Sequence, residues 1–279
     1  MTRDKTAGHR RLVVNADDFG RSHSINQAVI RAHREGILTT ASLMVNEEGF
    51  DEAVALARQN SRLGVGLHLT LLCGHSTLAP DAIPGLVDSR RRFGDSPVSV
   101  GFRYFAKRSL RGQLQAEIQA QFDKFRATGL PLDHVNGHLH LHLHPTVFRI
   151  LMEHAAEWKI SHLRLTRDPF WLNTKLDSGR WGYRILHAVI HSLLSRRACG
   201  PLQSRAIKHT GAVFGLLQND RVDENYVSRL LPALPAGDSE LYSHPSLDKS
   251  KNEFDALISP QVKTLLHKLS IQLIRYQDL

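Results

Sequence analysis

Thirteen consecutive residues, Asp133-His134-Val135-Asn136-Gly137-His138-Leu139-His140-Leu141-His142-Leu143-His144-Pro145, hold five of the chain's 17 histidines. His138, His140 and His142 alternate with leucine. In an extended chain, alternate side chains point the same way. A strand here would aim three imidazoles to one side and turn Leu139, Leu141 and Leu143 to the core. Neutral imidazole is the commonest metal ligand, and it titrates nearest neutral pH. A purification tag does not sit mid-chain, interleaved with leucine. Clustered histidine with carboxylates elsewhere marks a metal or catalytic site; a surface strand that merely carries histidines is the plainer alternative.

Three other stretches hold chemistry of matching kind: Ala16-Asp17-Asp18-Phe19-Gly20, Gly66-Leu67-His68-Leu69, and Glu240-Leu241-Tyr242-Ser243-His244-Pro245. A lone histidine in an apolar strand is usually a satisfied core residue. Two adjacent aspartates usually cap a helix or line a loop. On successive strand ends, however, these pieces together make a divalent metal site of one carboxylate and two imidazoles. That set leaves positions open for water and substrate.

The elements around them decide whether they meet. Arg11 to Asp18 reads as a short, β-branched, buried parallel strand. Ser24-x-x-Gln27 then offers a capping box for a helix running to Gly36. Strands follow at Thr40 to Val45, Val65 to Leu71, Leu132 to His138, His162 to Thr166, Ala212 to Leu217, Glu240 to Tyr242 and Ile271 to Tyr276. Helices are expected at Phe50 to Gln59, Leu110 to Thr128, Pro145 to Trp158, Val222 to Leu231 and Pro260 to Leu269. Strands alternating with helices imply a parallel sheet covered by helices. Seven or eight units predict an α/β fold, an irregular TIM-like (β/α) barrel, with its site at the carboxyl ends of the strands. The chain reads as one domain, 1–279, with insertions at about 73–109 and 167–209.

The second insertion contains Arg180 to Arg197. Trp181, Ile185, Leu186, Val189, Ile190, Leu193 and Leu194 form one helical stripe there, opposite Arg180, Arg184, His187, His191 and Arg196. Such a helix can lie on a membrane, but core packing is commoner. The stripe is therefore expected to face the barrel.

Composition sets outer limits. With 279 residues, 42% hydrophobic and 23% charged, the chain is that of a globular protein. No apolar run is long enough for a transmembrane helix, and Met1 to Arg11 has no signal-peptide core. Cys73 and Cys199 give neither a disulfide framework nor a paired zinc motif. These features point to the cytoplasm. The net charge of +9 favours anionic partners. No nucleic-acid module is recognisable, which leaves an anionic membrane surface. The oligomeric state is not legible, a homodimer being one option.

The stretches VNADDFG, VGLHL, DHVNGHLHLHLHP and ELYSHP, in this order and spacing, resemble the YdjC-like carbohydrate deacetylase family. The pieces AHREGILTTASLMV, TGLPLDHVNGH, AVFGL and YQDL bring the chain close to its hopanoid-biosynthesis-associated branch. The resemblance covers nearly the whole chain. It implies a metal-dependent enzyme, with zinc or magnesium as cofactor, that removes N-acetyl groups from sugars. The branch implies a lipid-linked substrate, an N-acetylglucosaminyl hopanoid. Carried over, the metal ligands fall on Asp18, His68 and a histidine of the run, His138 being chosen over His140 and His142. The general base falls on Asp17 and the late His-Pro on His244-Pro245. Ser243 stands where the branch leads us to expect cysteine, and Ser246 where glycine or alanine often follows the proline.

The chemistry suits these types. A metal polarises an amide carbonyl and lowers the pKa of bound water. Asp17 can take the water's proton, and His244 can protonate the departing amine. Arg164 could orient Asp17, bind sugar hydroxyls, or form an ordinary surface ion pair. Three other readings compete: a chitooligosaccharide deacetylase, a 2-His-1-carboxylate iron oxygenase, and a non-catalytic metal-binding or membrane-docking protein. The last leaves Asp17 without a role. The branch resemblance, the net charge, the Arg90 to Arg92 and Lys107 to Arg111 clusters and the Trp181 to Leu194 stripe together favour the lipid-linked sugar. They also favour peripheral contact with an anionic membrane.

Overall fold

The sheet is built on β1, Arg10–Phe19, whose last eight residues are all buried. The computed structural model describes residues 9–218 and 221–279; most of the N-terminal stretch read above for a signal peptide lies outside them. Leu12, Val13, Val14 and Ala16 have no exposure, as expected of a central parallel strand covered on both faces. One edge of β1 pairs along Arg10–Ala16 with β6, Gly237–Ser243. The other edge is shared. Its lower part, Arg11–Val13, takes β7, Gln272–Ile274. Its upper part, from Asn15, takes β2, Thr40–Leu43.

Outward from β2 come β3, Gly64–Leu69, and β4, Val135–Gly137. β5, Ala212–Phe214, lies on β6. Every pair is parallel, and the order is β4-β3-β2-β1-β6-β5, with β7 beside β1. The result is an α/β fold with a curled, all-parallel half-barrel. The expected strand at His162 to Thr166 is reduced to isolated bridges. Leu163 pairs with Val135 of β4, and His162 pairs with Lys208 ahead of β5.

The helices are α1 His23–Glu35, α2 Phe50–Arg58, α3 Pro97–Ala106, α4 Arg111–Ala127, α5 Pro145–Glu153, α6 Phe170–Leu176, α7 Trp181–Gln203, α8 Glu224–Ala233, α9 Lys251–Ile258 and α10 Pro260–Lys268. The first cap differs from expectation. Ser22, not Ser24, caps α1, accepting from the backbone N–H of Ile25. Ser24 instead bonds Ser246 and Leu247, tying the start of α1 to the loop after β6. α9 was not expected. The first long insertion is anchored by the buried Glu117 of α4, which accepts from the backbone N–H groups of Thr77 and Leu78.

α7 is turned the other way from expectation. Its apolar residues Trp181, Ile185, Leu186, Val189, Ile190 and Leu193 are exposed, while Arg184, His191 and Ser195 are buried. The polar side faces inward because it has partners there. Ser195 Oγ donates to the Thr166 carbonyl at 2.8 Å, and Arg184 Nη1 donates to the Asp177 carbonyl at 2.7 Å. The His191 ring meets His140 edge-on at 5.2 Å.

Close approach requires glycine at position 66. A Cβ on Gly66 of β3 would lie 2.5 to 2.6 Å from the His134 ring. That ring is fully enclosed. It bonds Asp133 and Ser42 and stacks on Tyr276 at 4.4 Å. Gly66→Ala should therefore destabilise the protein by about 1–3 kcal/mol through overpacking. Urea denaturation measures it, and an unchanged midpoint contradicts this packing.

Candidate active site

Two adjacent aspartates in a regular strand would point to opposite faces. Here the register between β1 and β2 shifts between Ala16 and Phe19, and Asp18 takes a left-handed backbone, φ 63°. Asp is among the residues that tolerate that region. The bulge re-aims the strand end, and both carboxylates enter one site.

Asp18 Oδ2 accepts from Arg21 at 2.6 Å. Its Oδ1 faces two imidazoles, His138 Nδ1 at 3.0 Å and His68 Nε2 at 3.4 Å. Ligand atoms of Asp18, His68 and His138 all lie within 4.8 Å of one another, and all three residues are buried. The His68 tautomer can be read from its neighbours. Asn136 uses its amide N–H groups on Ser42 and Asp17, so its Oδ1 accepts from His68 Nδ1 at 2.7 Å. Nε2 of neutral His68 then holds a lone pair, has no hydrogen-bond partner, and faces a carboxylate oxygen. Two lone pairs facing each other call for a cation between them. A metal-bound histidine whose other N–H is held by an amide oxygen has this arrangement. The three residues therefore fit a divalent ion.

Asp17 lies beside them. Its Oδ1 accepts from Asn15 at 2.8 Å, from Asn136 at 3.2 Å and from Arg164 Nη2 at 2.9 Å. Its Oδ2 accepts from Arg164 Nη1 at 2.7 Å. Burial disfavours the charge on Asp17. The Arg164 charge and its hydrogen bonds more than offset this and hold the carboxyl below the usual range. Burial likewise opposes the charge on Asp18, and the adjacent His138 imidazole overcomes it, holding the carboxyl well below the usual range.

Arg164 is wholly enclosed, so the surface ion-pair reading is overturned. Its Nε and Nη2 also donate to Glu240 Oε1, at 2.9 and 2.6 Å. Tyr276 OH donates to the other oxygen of Glu240. His244 sits half-buried after β6. Its backbone N–H donates to Glu253 at 2.6 Å, and its ring meets Tyr242 edge-on at 5.8 Å.

The histidine run is not a strand. His138–Leu143 forms a 3₁₀ turn, with Leu139 and His140 left-handed at φ 49° and 58°. Leu139 is exposed in consequence, while all three alternating histidines are buried. Only His138 of the three joins the Asp18 and His68 group. His140 Nε2 bonds Tyr242 OH at 2.9 Å, and His142 Nε2 donates to the Arg164 carbonyl at 2.9 Å.

Glu240, Asn136 and Tyr276 were not singled out in the sequence. Glu240 offered one signal, an acid at the start of the short strand expected at Glu240 to Tyr242. Asn136 and Tyr276 offered none beyond lying in stretches that carry the resemblance.

Comparison with known proteins identifies the family. Residues 11–268 match the YdjC-like protein family. A carbohydrate deacetylase of Brevibacillus brevis is 41% identical over 272 residues, 96% of this chain and 99% of that protein. A chitooligosaccharide deacetylase of Serratia marcescens is 34% identical over 201 residues, 66% of this chain and 75% of that protein. In fold, the chain is similar to an Enterococcus faecalis crystal structure named for cellobiose-phosphate cleavage. The TM-score is 0.76 at 20% identity, covering 97% of this chain and 98% of that one.

The enclosed histidines make stability depend on pH. Burial lowers His142 to about 3 and His191 to about 4, from 6.5. Between those values and 6.5 the unfolded chain binds protons that the folded one refuses. Their stabilisation is complete above 6.5 and lost as pH falls. Asp168, raised by burial to about 7, acts in the opposite sense, as a single group. The metal-free protein should lose thermal stability as pH is lowered from 6.5 to 4.5, and His191→Phe should flatten that slope. Calorimetry over this range checks both; a midpoint indifferent to pH contradicts them.

Proposed function

The chain belongs to the YdjC-like protein family, and on that premise we propose that it is a metal-dependent carbohydrate N-deacetylase. The observation that carries the reading is the buried Asp18, His68 and His138 group set directly beside an arginine-held Asp17. A binding protein has need of the first and no use for the second. The oxygenase alternative finds no support in a parallel α/β sheet with a deacetylase relative spanning 96% of the chain.

Asp18, His68 and His138 would hold the ion, zinc or magnesium. When bound, it supplies Lewis acidity to the acetamide carbonyl and acidifies a water. Asp17 takes the proton from the attacking water. Its depressed pKa keeps it ionised but makes it a weak base, which suits a water already made acidic. Arg164 acts through Asp17 as a positioning residue, fixing it by two parallel hydrogen bonds. His244, half-buried at the end of β6 beside Tyr242, delivers a proton to the departing amine.

The substrate is an N-acetylated sugar, as the deacetylase relatives support, and we take the sugar to be N-acetylglucosamine. We take it to be a glycosylated hopanoid, on the strength of the branch-specific stretches, and place the enzyme in the cytoplasm with peripheral contact to the membrane. Among the described residues no helix is long and apolar enough to cross a membrane. A chitooligosaccharide is the second reading, favoured by the Serratia relative. We read the half-barrel as an irregular (β/α) barrel, with His162 to Thr166 as its weakest strand. Residues 1–279 then form one domain bearing two insertions.

Acetate release from N-acetylglucosaminyl lipid and from chitobiose, with and without chelator, tests the activity. Release from the lipid, abolished by chelation, is expected; no release from either contradicts the assignment. The two aspartates should also differ. Asp18→Ala should lose the metal. Asp17→Asn should keep the metal and lose turnover by about 10²-fold or more. Metal content by mass spectrometry separates them, and equal metal loss in both contradicts the division of labour.

A further inference from the structure

Twelve large apolar side chains stand exposed among the described residues, and eleven of them lie on four neighbouring elements. α3 exposes Val98, Phe102 and Phe105; α6 exposes Trp171; α7 exposes six residues from Trp181 to Leu193. The eleventh is Leu139, 52% exposed, next to the buried His138. The elements adjoin one another. α7 packs on the His138–Leu143 turn, on α5 and on α6, and α3 packs on α5. The His144 ring, at the end of the turn, bonds the Gly101 carbonyl of α3 at 3.0 Å. A patch of this extent on a globular protein marks an interaction surface.

The charge on these elements has one sign. No Asp or Glu occurs between Asp95 and Glu117, between Asp133 and Glu153, or between Asp177 and Asp220. The same stretches hold Arg103, Lys107, Arg108 and Arg111 near α3, and Arg196, Arg197 and Arg205 along α7. Lys107, Arg108, Arg196 and Arg197 are exposed. Apolar side chains bordered mainly by cations complement a surface that is apolar within and anionic at its edge, which is an anionic lipid bilayer. A second copy suits the face poorly. In a two-fold dimer the patch meets itself, and its exposed cations Lys107, Arg108, Arg196 and Arg197 would be brought toward their own copies, with only the partly exposed Asp168 and Asp238 beside the face to offset them.

We infer that α3, the Leu139 turn, α6 and α7 form a docking face for an anionic lipid bilayer, and that docking brings the metal-site side of the molecule to the membrane. Leu139 and His138 are consecutive, so the residue that meets lipid adjoins one that would hold the ion. Docking of this kind gives the lipid-linked substrate proposed above a direct route to the site, and rests on that proposal for its purpose.

Tryptophan reports on this face. Of the chain's three, Trp158 is buried, while Trp171 and Trp181 lie on the face. Vesicles of phosphatidylglycerol and phosphatidylcholine with brominated acyl chains should quench the protein's fluorescence and carry it into the pellet at low salt. Phosphatidylcholine vesicles alone should do so less. The paired variants Leu186→Asp with Ile190→Asp, and Phe102→Asp with Phe105→Asp, should each lower partition by about tenfold or more. Both should release acetate from chitobiose at the wild-type rate. Wild-type protein that stays unquenched and in the supernatant, or variants that bind as wild type does, would overturn the docking face. So would a wild-type dimer in sedimentation that the α7 variant converts to monomer, since the face would then belong to a second copy. Failure of acetate release from every N-acetylated sugar, with vesicle binding intact, would strike the enzyme reading and leave the docking face standing.

Discussion

A guanidinium without access to water fixes the geometry of the site. Arg164 lies between Asp17 on β1 and Glu240 on β6, and all three side chains are buried. Burying an ion costs several kcal/mol, recovered only when its hydrogen-bonding capacity is well matched. Here Nε, Nη1 and Nη2 all find carboxylate oxygens. Tyr276 completes Glu240, so the far C-terminal segment closes the same network. The match leaves Asp17 ionised and immobile. Three carboxylates, Asp17, Asp18 and Glu240, face two guanidiniums, and one of those, Arg21, is 42% exposed. The enclosed charge is thus left net negative, which favours a divalent cation at Asp18.

Backbone distortion supplies what regular strands cannot. The bulge at the end of β1 turns two consecutive aspartates into one cavity. The left-handed pair Leu139 and His140 curls the histidine run, so that three alternating imidazoles reach three different partners. Such conformations persist where the surroundings over-determine them and tend to gather at functional sites. In this chain both distortions flank one candidate metal group, and neither is made by glycine.

Much of this was legible in the sequence. The β-branched run ending in Asp17-Asp18, and the alternation of strands and helices after it, place the acids at a strand end without reference to any structure. The stretch VGLHL puts His68 on the next-but-one strand, and the structure brings Asp18, His68 and His138 together. What was not legible has physical causes. Nothing in alternating His and Leu announces left-handed backbone, so the run read as extended. Arg164 and its acids are 147 and 76 positions apart, and only the fold brings them together. Helical spacing showed which α7 residues share a face but not which face turns inward. That depended on partners for Arg184, His191 and Ser195 elsewhere in the chain.

The central claim is that Asp18, His68 and His138 bind a divalent ion while Asp17 stays paired with Arg164. Anomalous diffraction from crystals grown with zinc or manganese tests this most directly. The account predicts one strong peak within bonding distance of Asp18 Oδ1, His68 Nε2 and His138, with the Arg164 bonds to Asp17 intact. A peak on His140 or His142, or an ion that takes Asp17 away from Arg164, would contradict it.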